Sequence, residues 1–287
     1  MTPSTTVSRA HVSAAKRLTG AGIGTPQLDA QVILAHVLGV DRSWLFAHHE
    51  YKLSATQSHE YTELIVRRTA HEPVAYLVGH KEFYGIDFLV DQRVLIPRPE
   101  TELLVDAVLD HIEMRSDHRV RIADVGTGSG AIAISVAVNC PEARLYAIDL
   151  SQDALAVARA NVTRQDVDSQ ITLRHGDLLD PLAETVDIIV ANLPYIDSQS
   201  YSSLEPDVRQ YEPRLALEAG VQGLDAIRRL LIQARRCLNA GGVIFLEIGS
   251  NQGEAVTALV GELIPDNSYF SVRQDYHGHD RIVTIAV

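Results

Sequence analysis

The sequence predicts an α/β protein in which a doubly wound, mostly parallel sheet follows a small helical domain. Three segments support this prediction. Residues 122–125 are mostly apolar and run into a glycine-rich turn, residues 146–149 end on a carboxylate, and residues 186–191 form a nearly continuous apolar run. Such runs are typical of buried parallel strands. Because glycine or a polar residue ends or directly follows each run, the carboxyl ends of these strands should form a binding site.

The predicted sheet has seven strands. They lie near 120–125, 144–149, 170–175, 186–191, 242–248, 268–274 and 281–287. Helices are expected between the first five strands, as in a doubly wound fold. The last two strands are too close in sequence for a helix between them, so they should form an antiparallel edge of the sheet.

Residues 1–75 have the periodicity of amphipathic helices and no strand alternation. Two apolar stripes mark the first two helices, one of Val7, Ala10, His11, Ala14 and Leu18 and another of Leu28, Val32, Ala35 and Leu38. Thr25-Pro26 predicts the start of the second helix and Gly39 its end. Ser54 predicts the N-cap of a third helix, which must end before Pro73. This bundle carries no catalytic residue set of its own, so we expect it to recognise a partner.

A β-hairpin is predicted between the two domains. Residues 82–96 are rich in aromatic and β-branched side chains, with Asp91-Gln92 as a possible turn. The predicted organisation is therefore a helical domain at 1–75, a bridging hairpin at 76–96 and an α/β domain at 97–287.

The composition, 46% hydrophobic and 22% charged over 287 residues, predicts a globular protein. No apolar run approaches the roughly 20 residues of a membrane span, and the N-terminus lacks the basic and apolar stretches of a signal peptide. We therefore expect a cytoplasmic protein. A net charge of −12 argues against a protein that grips a nucleic-acid backbone. The doublets Arg228-Arg229 and Arg235-Arg236, on one predicted helix, are expected to form a solvated face.

The cysteines and histidines predict neither a disulfide nor a metal site. Cys140 and Cys237 are far apart in sequence and are expected to be buried thiols. His48-His49 and the segment 277–280 have the composition of metal sites but lack a third ligand at a suitable spacing. We therefore expect no bound metal.

A cofactor site is predicted at the turn formed by Gly126, Thr127, Gly128, Ser129 and Gly130, which connects a strand to a helix. Glycines let the backbone approach a ligand, and amides at a helix N-terminus suit a carboxylate or a phosphate. The Gly-x-Gly-x-Gly spacing differs from the Gly-x-Gly-x-x-Gly of most dinucleotide-binding proteins. The turn therefore predicts a nucleotide-like cofactor without specifying a dinucleotide.

Carboxylates near the next two strand ends complete the predicted cofactor site. Asp149 ends the second strand, where it would accept hydrogen bonds from both ribose hydroxyls. Asp177 follows the third strand and would accept one from the amine of adenine, with Leu178 against the ring. Asp124, just before the turn, is costly to bury unless it binds loop amides or an amino group of the cofactor. Of these two roles we favour the contact with the cofactor.

The segment Asn192-Leu193-Pro194-Tyr195 follows the fourth strand and indicates the reaction. The side-chain carbonyl of Asn192 and the backbone carbonyl of Leu193 are two acceptors, and Tyr195 offers a flat face. Two acceptors in one plane would hold a substrate NH₂ group by both hydrogens. This arrangement suggests methyl transfer to a planar nitrogen, in which positioning supplies most of the acceleration.

The chain resembles the release-factor glutamine methyltransferases, also called the HemK family, over nearly its whole length. Besides the tetrapeptide, the resemblance rests on the segments 73–79, 83–85, 94–102, 211–213, 215–217, 223–224 and 246–249, and on Gln252. It implies a Rossmann-like class I S-adenosylmethionine-dependent methyltransferase fold with a seven-stranded sheet. It also implies that S-adenosyl-L-methionine is the cofactor and S-adenosyl-L-homocysteine the product.

The resemblance further implies the substrate. This would be the side-chain nitrogen (N5) of the glutamine in the Gly-Gly-Gln motif of peptide chain release factors, whose methylation modifies translation termination. Asn192, Pro194 and Tyr195 would be catalytic, Leu193 would bind the substrate with them, and Asn192 would also contact the cofactor. The N-terminal helical domain would contact the release factor. We expect a monomer that binds neither nucleic acid directly nor membranes.

One position departs from the family pattern. The family usually has Asn-Pro-Pro-Tyr, whereas this chain has Leu193 at the second position. The variant is similar to the tetrapeptide of enzymes that dimethylate adenines in ribosomal RNA, so an RNA adenine-N6 methyltransferase is the alternative. The acidic charge and the segment 96–102 oppose it. A binding module without catalysis is a further alternative, against which the intact remainder of the tetrapeptide argues.

Two charged residues outside these motifs have open roles. Arg98 either binds the substrate or braces the turn between Pro97 and Pro99, and the sequence does not decide between them. Glu247 follows a predicted strand and is expected to pack or to form a hydrogen bond near the pocket.

Overall fold

The structure, a computed structural model, describes residues 5–264 and 269–287. Its α-helices are α1 (Val7–Gly20), α2 (Pro26–Leu38), α3 (Arg42–Ala47), α4 (Ala55–Thr69), α5 (Val74–Val78), α6 (Glu102–Glu113), α7 (Ala131–Asn139), α8 (Gln152–Arg164), α9 (Pro206–Tyr211), α10 (Asp225–Cys237) and α11 (Gly253–Leu263). Its strands are β1 (His80–Phe83), β2 (Ile86–Leu89), β3 (Arg121–Val125), β4 (Arg144–Asp149), β5 (Ile171–His175), β6 (Val186–Ala191), β7 (Leu238–Glu247), β8 (Tyr269–Gln274) and β9 (Asp280–Ala286). Short 3-10 helices lie at Pro99–Thr101, Ser200–Ser203 and Arg214–Ala216.

The chain folds as two units. The first contains the residues up to His80 together with Glu205–Tyr211, and the second contains Lys81–Leu204 and Glu212–Val287. Each unit has its own apolar core. The first unit is discontinuous in sequence. Its helix α9 is separated from the other helices of the unit by residues 81–204, which belong to the second unit.

Local sequence signals set the helix ends of the first unit. Ser54 and Gln57 form a capping box on α4, in which each side chain accepts a hydrogen bond from the other residue's amide. Pro26 occupies the first turn of α2, and Gly39 ends that helix in the left-handed conformation with a φ of 65°. These predicted boundaries are confirmed. Thr25 precedes α2 as predicted, but its side chain does not cap a backbone amide.

The apolar face predicted for α1 is buried except for His11, whereas that predicted for α2 is wrong. The buried residues of α2 are Asp29, Ala30, Ile33, Leu34 and Ala35. Of the predicted stripe only Ala35 is among them, and Leu28 is 42% exposed. Helix α2 is apolar on most of its circumference, so periodicity alone does not select its buried face. The selection follows from Asp29, whose buried carboxylate needs a charged partner.

That partner is Arg68 of α4, which lies at the centre of a buried ion-pair network. Arg68 Nε donates to Asp29 Oδ2 at 2.7 Å, and the two side chains are 6% and 7% exposed. Arg68 Nη1 lies 2.7 Å from Asp207 Oδ2 of α9, and His71 Nδ1 lies 3.0 Å from the other oxygen of Asp207. Arg68 therefore satisfies carboxylates from two helices that are far apart in sequence.

Strands β1 and β2 form the predicted hairpin, but its turn lies at Tyr84-Gly85 and not at Asp91-Gln92. Both turn residues have positive φ, 53° and 74°, as the two central residues of a type I′ hairpin turn require. Tyr84 is held there because its amide donates to Glu102 and its hydroxyl to Asp106. Asp91 instead accepts hydrogen bonds from Arg93 within a separate turn.

The second unit is built on a seven-stranded sheet with the strand order β5-β4-β3-β6-β7-β9-β8. Strand β3 pairs in parallel with β4 and β6, whereas β9 runs antiparallel to β7 and β8. The seven predicted strands and the antiparallel edge are confirmed, although β7 begins earlier, at Leu238. The expected helix between β5 and β6 is not present in the connection 176–185. This connection contains Gly176 and Pro181, which disfavour a helix.

Parallel register aligns the ends of the central strands. Val125, the last residue of β3, pairs with Ile148 of β4 and Ala191 of β6. The segments that follow these strands therefore lie at one edge of the sheet, and they are the glycine-rich turn, the end of β4 at Asp149 and the tetrapeptide 192–195. Side chains of β3, β6, β7, α10 and α11 form much of the core that fixes this edge.

The structure also tests predictions made from composition. Cys140 and Cys237 are buried and unpaired, as predicted. The arginines of α10 form a solvated face in which Arg228 pairs with Glu262, Arg229 with Asp177 and Arg236 with Asp180. Within residues 5–264 and 269–287, no helix is long and apolar enough to cross a membrane.

We expect Arg68→Ala to lower the free energy of unfolding by about 3–5 kcal/mol, because it leaves the buried Asp29 carboxylate without its charged partner. Urea unfolding followed by circular dichroism measures the change. Arg9→Ala, at an exposed arginine of α1, is the control and should change this free energy by less than about 0.5 kcal/mol. Equal effects of the two substitutions would show that the network does not stabilise the first unit.

Candidate active site

A pocket opens at the carboxyl edge of the sheet in the second unit. Its volume is about 380 Å³, within the range of about 300–1,000 Å³ typical of small-molecule sites. Its walls come from residues 93–95, the ends of β3 and β4, the connection after β5, the tetrapeptide and residues 213–229. The predicted site residues that line it are Gly126, Gly128, Asp149, Asp177, Leu178, Asn192, Leu193 and Pro194.

Four predicted site residues do not line this pocket, and three of them support its glycine-rich turn. Thr127 is buried with its hydroxyl bonded to Asp124. Ser129 is buried, and its carbonyl oxygen accepts a hydrogen bond from Asn161 Nδ2 at 2.9 Å. Gly130 forms the N-cap of α7 with a φ of 84°. The fourth is Tyr195, which lies beyond the pocket-lining part of the tetrapeptide.

Gly126 and Gly128 each have positive φ, 77° and 56°, and they approach different neighbours. A Cβ atom on Gly126 would lie 3.1 Å from Leu193 Cδ2, so a side chain there would press on the tetrapeptide. A Cβ atom on Gly128 would come no closer than 4.0 Å to the nearest heavy atom, the carbonyl oxygen of Gly126. The space above Gly128 is therefore open to a ligand.

Asp124 supports the turn and does not line the pocket. It is fully buried, and its Oδ2 accepts hydrogen bonds from the Thr127 hydroxyl at 2.6 Å and from the Ala133 amide at 3.1 Å. The sequence left two roles open for Asp124, binding of loop amides or contact with the cofactor, and we favoured the second. In the structure Asp124 instead binds groups of the turn and of the helix that follows it. Its Oδ1 has no partner among the described residues, and burial raises the pKa of Asp124 to about 7.

Asp149 is held in place at the end of β4 by backbone amides. Its Oδ2 accepts from the Gly128 amide and its Oδ1 from the Ser151 amide, both at 2.8 Å. Desolvation outweighs these hydrogen bonds and raises the pKa of Asp149. Each carboxylate oxygen can accept a second hydrogen bond, so the side chain remains able to bind two hydroxyl groups of a ligand.

Asp177 and Leu178 line the pocket in the connection that follows β5. The carboxylate of Asp177 forms an ion pair with Arg229 of α10, which also lines the pocket. Leu178 has a φ of 51°, uncommon for a branched residue, and it packs against the core of the second unit. The pair of a carboxylate and an apolar side chain suits the polar edge and the flat face of an aromatic ring.

The end of the tetrapeptide is fixed by Gln252 at the start of α11. Gln252 Nε2 donates to the carbonyl oxygens of Tyr195 at 3.0 Å and Gly223 at 3.2 Å, while its Oε1 accepts from the Gly249 amide at 2.9 Å. A Cβ atom on Gly223 would lie 2.2 Å from the Tyr195 carbonyl oxygen, so only glycine fits this approach. Burial raises the pKa of Tyr195 to about 12, and its ring is therefore neutral near pH 7.

Asn192 at the start of the tetrapeptide belongs to a buried chain of hydrogen bonds. Its Nδ2 donates to Thr101 Oγ1 at 3.1 Å, and Thr101 Oγ1 donates to Glu247 Oε2 at 2.7 Å. Thr101 is 5% exposed and Glu247 is 2% exposed. Because the amide nitrogen faces this chain, the Asn192 carbonyl oxygen is the group left to bind a ligand.

Arg98 braces its turn. Its guanidinium pairs with the buried carboxylate of Glu212, which also accepts a hydrogen bond from the Ile96 amide at 3.2 Å. This contact fixes the segment that leads to Thr101. The structure thus shows the bracing contact, which is one of the two roles that the sequence left open for Arg98.

Sequence reasoning missed two parts of the site. Residues 213–220 form a wall of the pocket, and they pair with the tetrapeptide's continuation through hydrogen bonds between Ile196, Leu217 and Ala219. This wall is irregular and gives no periodic signal. Asn161 of α8 is fully buried and binds both backbone groups of Leu89 as well as the glycine-rich turn. The sequence does contain a signal for the role of Asn161, because it is a polar residue on an otherwise apolar face of the helix.

The pocket fits S-adenosylmethionine, the cofactor that the family resemblance implies. Val125, Ile148 and Leu178 provide apolar surface for a ring, and Asp149 retains lone pairs for hydroxyl groups. The unfilled space above Gly128 lies at a helix N-terminus, where an anionic carboxylate is favoured. The residues present therefore match the three chemical parts of this molecule, an aromatic base, a ribose and an amino acid.

We expect Asp124→Asn to change how stability depends on pH. Asp124 has a pKa of about 7 in the folded protein against an ordinary value of 3.8, so its stabilising contribution is full below about pH 4 and is lost as the pH rises through 7. Relative to the variant, the wild type should therefore lose on the order of 1–3 kcal/mol of unfolding free energy between pH 5 and pH 8. Urea unfolding of both proteins at the two pH values measures this difference. A difference that does not change with pH would contradict the raised pKa.

Comparison with known proteins places the chain in a family. Residues 10–79 match the family model described as the PrmC N-terminal domain, and residues 100–205 match that of the methyltransferase small domain. The chain is 43% identical over 277 residues to the release factor glutamine methyltransferase of Moorella thermoacetica, which covers 96% of each chain. It is 37% identical over 264 residues to that of Bacillus anthracis, covering 91% of this chain and 92% of the relative.

Solved structures show the same fold at low sequence identity. The catalytic domain of hMettl16 in complex with MAT2A 3'UTR hairpin 6 has a TM-score of 0.57 and 14% identity, covering 80% of this chain and 81% of that chain. The 16S rRNA N2 G1207 methyltransferase (RsmC) of T. thermophilus, in complex with AdoMet and guanosine, has a TM-score of 0.53 and 16% identity, covering 72% and 49%. The predicted class I S-adenosylmethionine-dependent methyltransferase fold is confirmed. Because its curated relatives match it over almost their whole length, this chain belongs to the release factor glutamine methyltransferase family.

Proposed function

We propose that this protein transfers a methyl group from S-adenosylmethionine to the side-chain amide nitrogen of a glutamine in peptide chain release factors, within their Gly-Gly-Gln motif. The observation that carries the proposal is the orientation of Asn192, whose carbonyl oxygen is left free at the pocket while its amide nitrogen is bound inside the protein. The names of the relatives support glutamine in a release factor as the substrate. The demethylated product would be S-adenosylhomocysteine.

The residues of the pocket would hold the cofactor by its separate parts. S-adenosylmethionine supplies an electrophilic methyl group on a positively charged sulfur. Asp149 would accept hydrogen bonds from the ribose hydroxyls, and Asp177 and Leu178 would hold the adenine. The turn 126–130 would bind the amino-acid part of the cofactor. Asn192 lines the same pocket and would also contact the cofactor.

The tetrapeptide would hold the substrate amide. The Asn192 Oδ1 atom and the Leu193 carbonyl oxygen are two acceptors that bind the two hydrogens of a primary amide and leave its nitrogen facing the methyl donor. Pro194 would restrict the backbone between them and Tyr195. The neutral ring of Tyr195 would offer a flat surface to the substrate side chain. Positioning of this kind supplies acceleration without a strong general base.

The first unit would recognise the release factor. It contains several large apolar side chains that are exposed, among them Phe46, which is 66% exposed, and Val12, which is 62% exposed. Such side chains are common where proteins bind one another. Because release factors act in translation, we place the protein in the cytoplasm, and we expect it to work as a monomer.

The alternative, methylation of adenine in RNA, has little support from the described residues. The arginine doublets of α10 are mostly neutralised by Asp177, Asp180 and Glu262. A basic surface is what binding to a nucleic-acid backbone requires. The hMettl16 catalytic domain and the 16S rRNA methyltransferase RsmC share the fold of this chain at 14% and 16% identity, and a likeness at that level carries no information about the substrate.

Mass spectrometry tests the proposal. A purified, unmethylated release factor is incubated with this protein and S-adenosylmethionine, and its Gly-Gly-Gln peptide is examined. We expect a gain of one methyl group on the glutamine. A release factor in which this glutamine is replaced by asparagine is the control and should gain none. Methyl label in RNA instead of in the release factor would overturn the proposal.

We expect Asn192→Ala to lower turnover by about two orders of magnitude or more, because it removes one of the two acceptors that position the amide. Cofactor affinity, measured by isothermal titration calorimetry, should change less than turnover. Asn139→Ala, at an exposed asparagine of α7, is the matched control and should leave both unchanged. Equal losses of turnover and affinity would assign Asn192 to cofactor binding alone.

A further inference from the structure

We propose that Thr101 and Glu247 are positioning residues that fix the side-chain amide of Asn192 with its carbonyl oxygen toward the substrate, and that this orientation requires the ionised carboxylate of Glu247. The inference rests on the proposed function, because the substrate is taken to be a primary amide. It assigns roles to two residues that do not line the pocket.

The geometry is a chain of three groups from separate parts of the second unit. Asn192 follows β6, Thr101 ends the 3-10 helix before α6, and Glu247 is the last residue of β7. The Asn192 Nδ2 to Thr101 Oγ1 distance is 3.1 Å, and the Thr101 Oγ1 to Glu247 Oε2 distance is 2.7 Å. Thr101 and Glu247 are almost fully buried, so water does not compete for these hydrogen bonds.

A count of hydrogens gives the direction of the chain. Thr101 has one hydroxyl hydrogen, and an ionised Glu247 can only accept, so the threonine donates to the carboxylate. The threonine oxygen then has only lone pairs left for Asn192, and the group that satisfies them is the Nδ2 amide. The Asn192 carbonyl oxygen is therefore turned to the pocket, where it can accept from a substrate NH₂ group.

Protonation of Glu247 would reverse the direction of the hydrogen bonds in this chain. A neutral carboxylic acid can donate to Thr101 Oγ1, which frees the threonine hydrogen to donate to the Asn192 carbonyl oxygen. The amide then turns its Nδ2 group toward the substrate. Two NH₂ groups cannot hydrogen-bond through their hydrogens alone, so this orientation does not hold the substrate.

Neighbouring charges bear on this ionisation from several elements. Hydrogen bonds from Thr101 and, more weakly, directly from Asn192 favour the carboxylate form of Glu247, as does the charge of Arg281 of β9. Glu100, next to Thr101, opposes it. Burial is the strongest influence, and it raises the pKa of Glu247 to about 7. Tyr195 also interacts with Glu247 and is neutral in this pH range. The switch between the two orientations thus falls near neutral pH.

The first test is the rate of methylation at saturating S-adenosylmethionine. Thr101→Val keeps the shape of the side chain but removes the hydroxyl, and it should lower kcat by about tenfold or more. Thr101→Ser keeps the hydroxyl and should recover most of that loss. Thr163→Val, at an exposed threonine of α8, is the matched control and should have the wild-type rate. A Thr101→Val enzyme with wild-type kcat would overturn the proposal.

The second test is the pH profile of kcat. In the wild type, kcat should rise with pH through the titration of Glu247 and level off above it. Glu247→Gln should have a lower kcat that no longer rises in this range, while Glu262→Gln, at an exposed glutamate, keeps the rise. Asp124→Asn should also keep the rise, which separates the titration of Glu247 from that of Asp124, whose pKa burial likewise raises to about 7. Persistence of the rise in Glu247→Gln would overturn the proposal.

A third measurement separates this proposal from the proposed function. Nuclear magnetic resonance of protein labelled at glutamate carboxyl carbon and asparagine amide nitrogen follows Glu247 and Asn192 without any substrate. We expect the Asn192 amide signal to shift with the same midpoint as the Glu247 carboxyl, and to lose this response in Thr101→Val. If the signals are linked but no release factor is methylated, the proposed function fails and the linkage stands. Independent titrations would overturn the linkage itself.

Discussion

Parallel pairing of β3 with β4 and β6 is the constraint on which the site depends. A register of pairs from Val125 to Ile148 and Ala191 brings three chain segments to one edge of the sheet. The strands that do this are buried, so a slip in register would move whole sets of apolar side chains out of the core. The sheet therefore fixes the distance between the segment that would bind the cofactor and the segment that would bind the substrate. No further rearrangement is needed to bring the two segments together.

The irregular backbone at that edge is held by buried polar side chains. Asn161 binds the glycine-rich turn, Gln252 binds the end of the tetrapeptide and Glu212 binds the segment before Thr101. Each of them satisfies backbone groups that no strand or helix satisfies, which buried loops require. Loops held in this way place an acceptor such as Asn192 accurately, whereas loops held by apolar contacts alone leave its orientation open.

The sequence predicts the strands well, because a buried parallel strand is a continuous apolar run in any context. It fails where distant residues decide the local structure. The turn at Tyr84 forms because Glu102 and Asp106 bind it, and the buried face of α2 depends on a partner for Asp29 from another helix. The contact of Thr101 with Glu247 joins positions 146 residues apart, so no local pattern reveals it. The family resemblance identifies the segments that contain these residues, but it does not predict their contacts.

The discontinuity of the first unit limits how the protein can be divided. Helix α9 is encoded within the second half of the chain, yet its Asp207 takes its charge partner from Arg68. A fragment that ends after His80 would contain Arg68 without that carboxylate, and a fragment that starts at Lys81 would contain the carboxylate without the arginine. The chain also has to close this contact over a long loop while the sheet forms, which is slow relative to local pairing. The first unit can therefore be completed only after most of the chain has been synthesised.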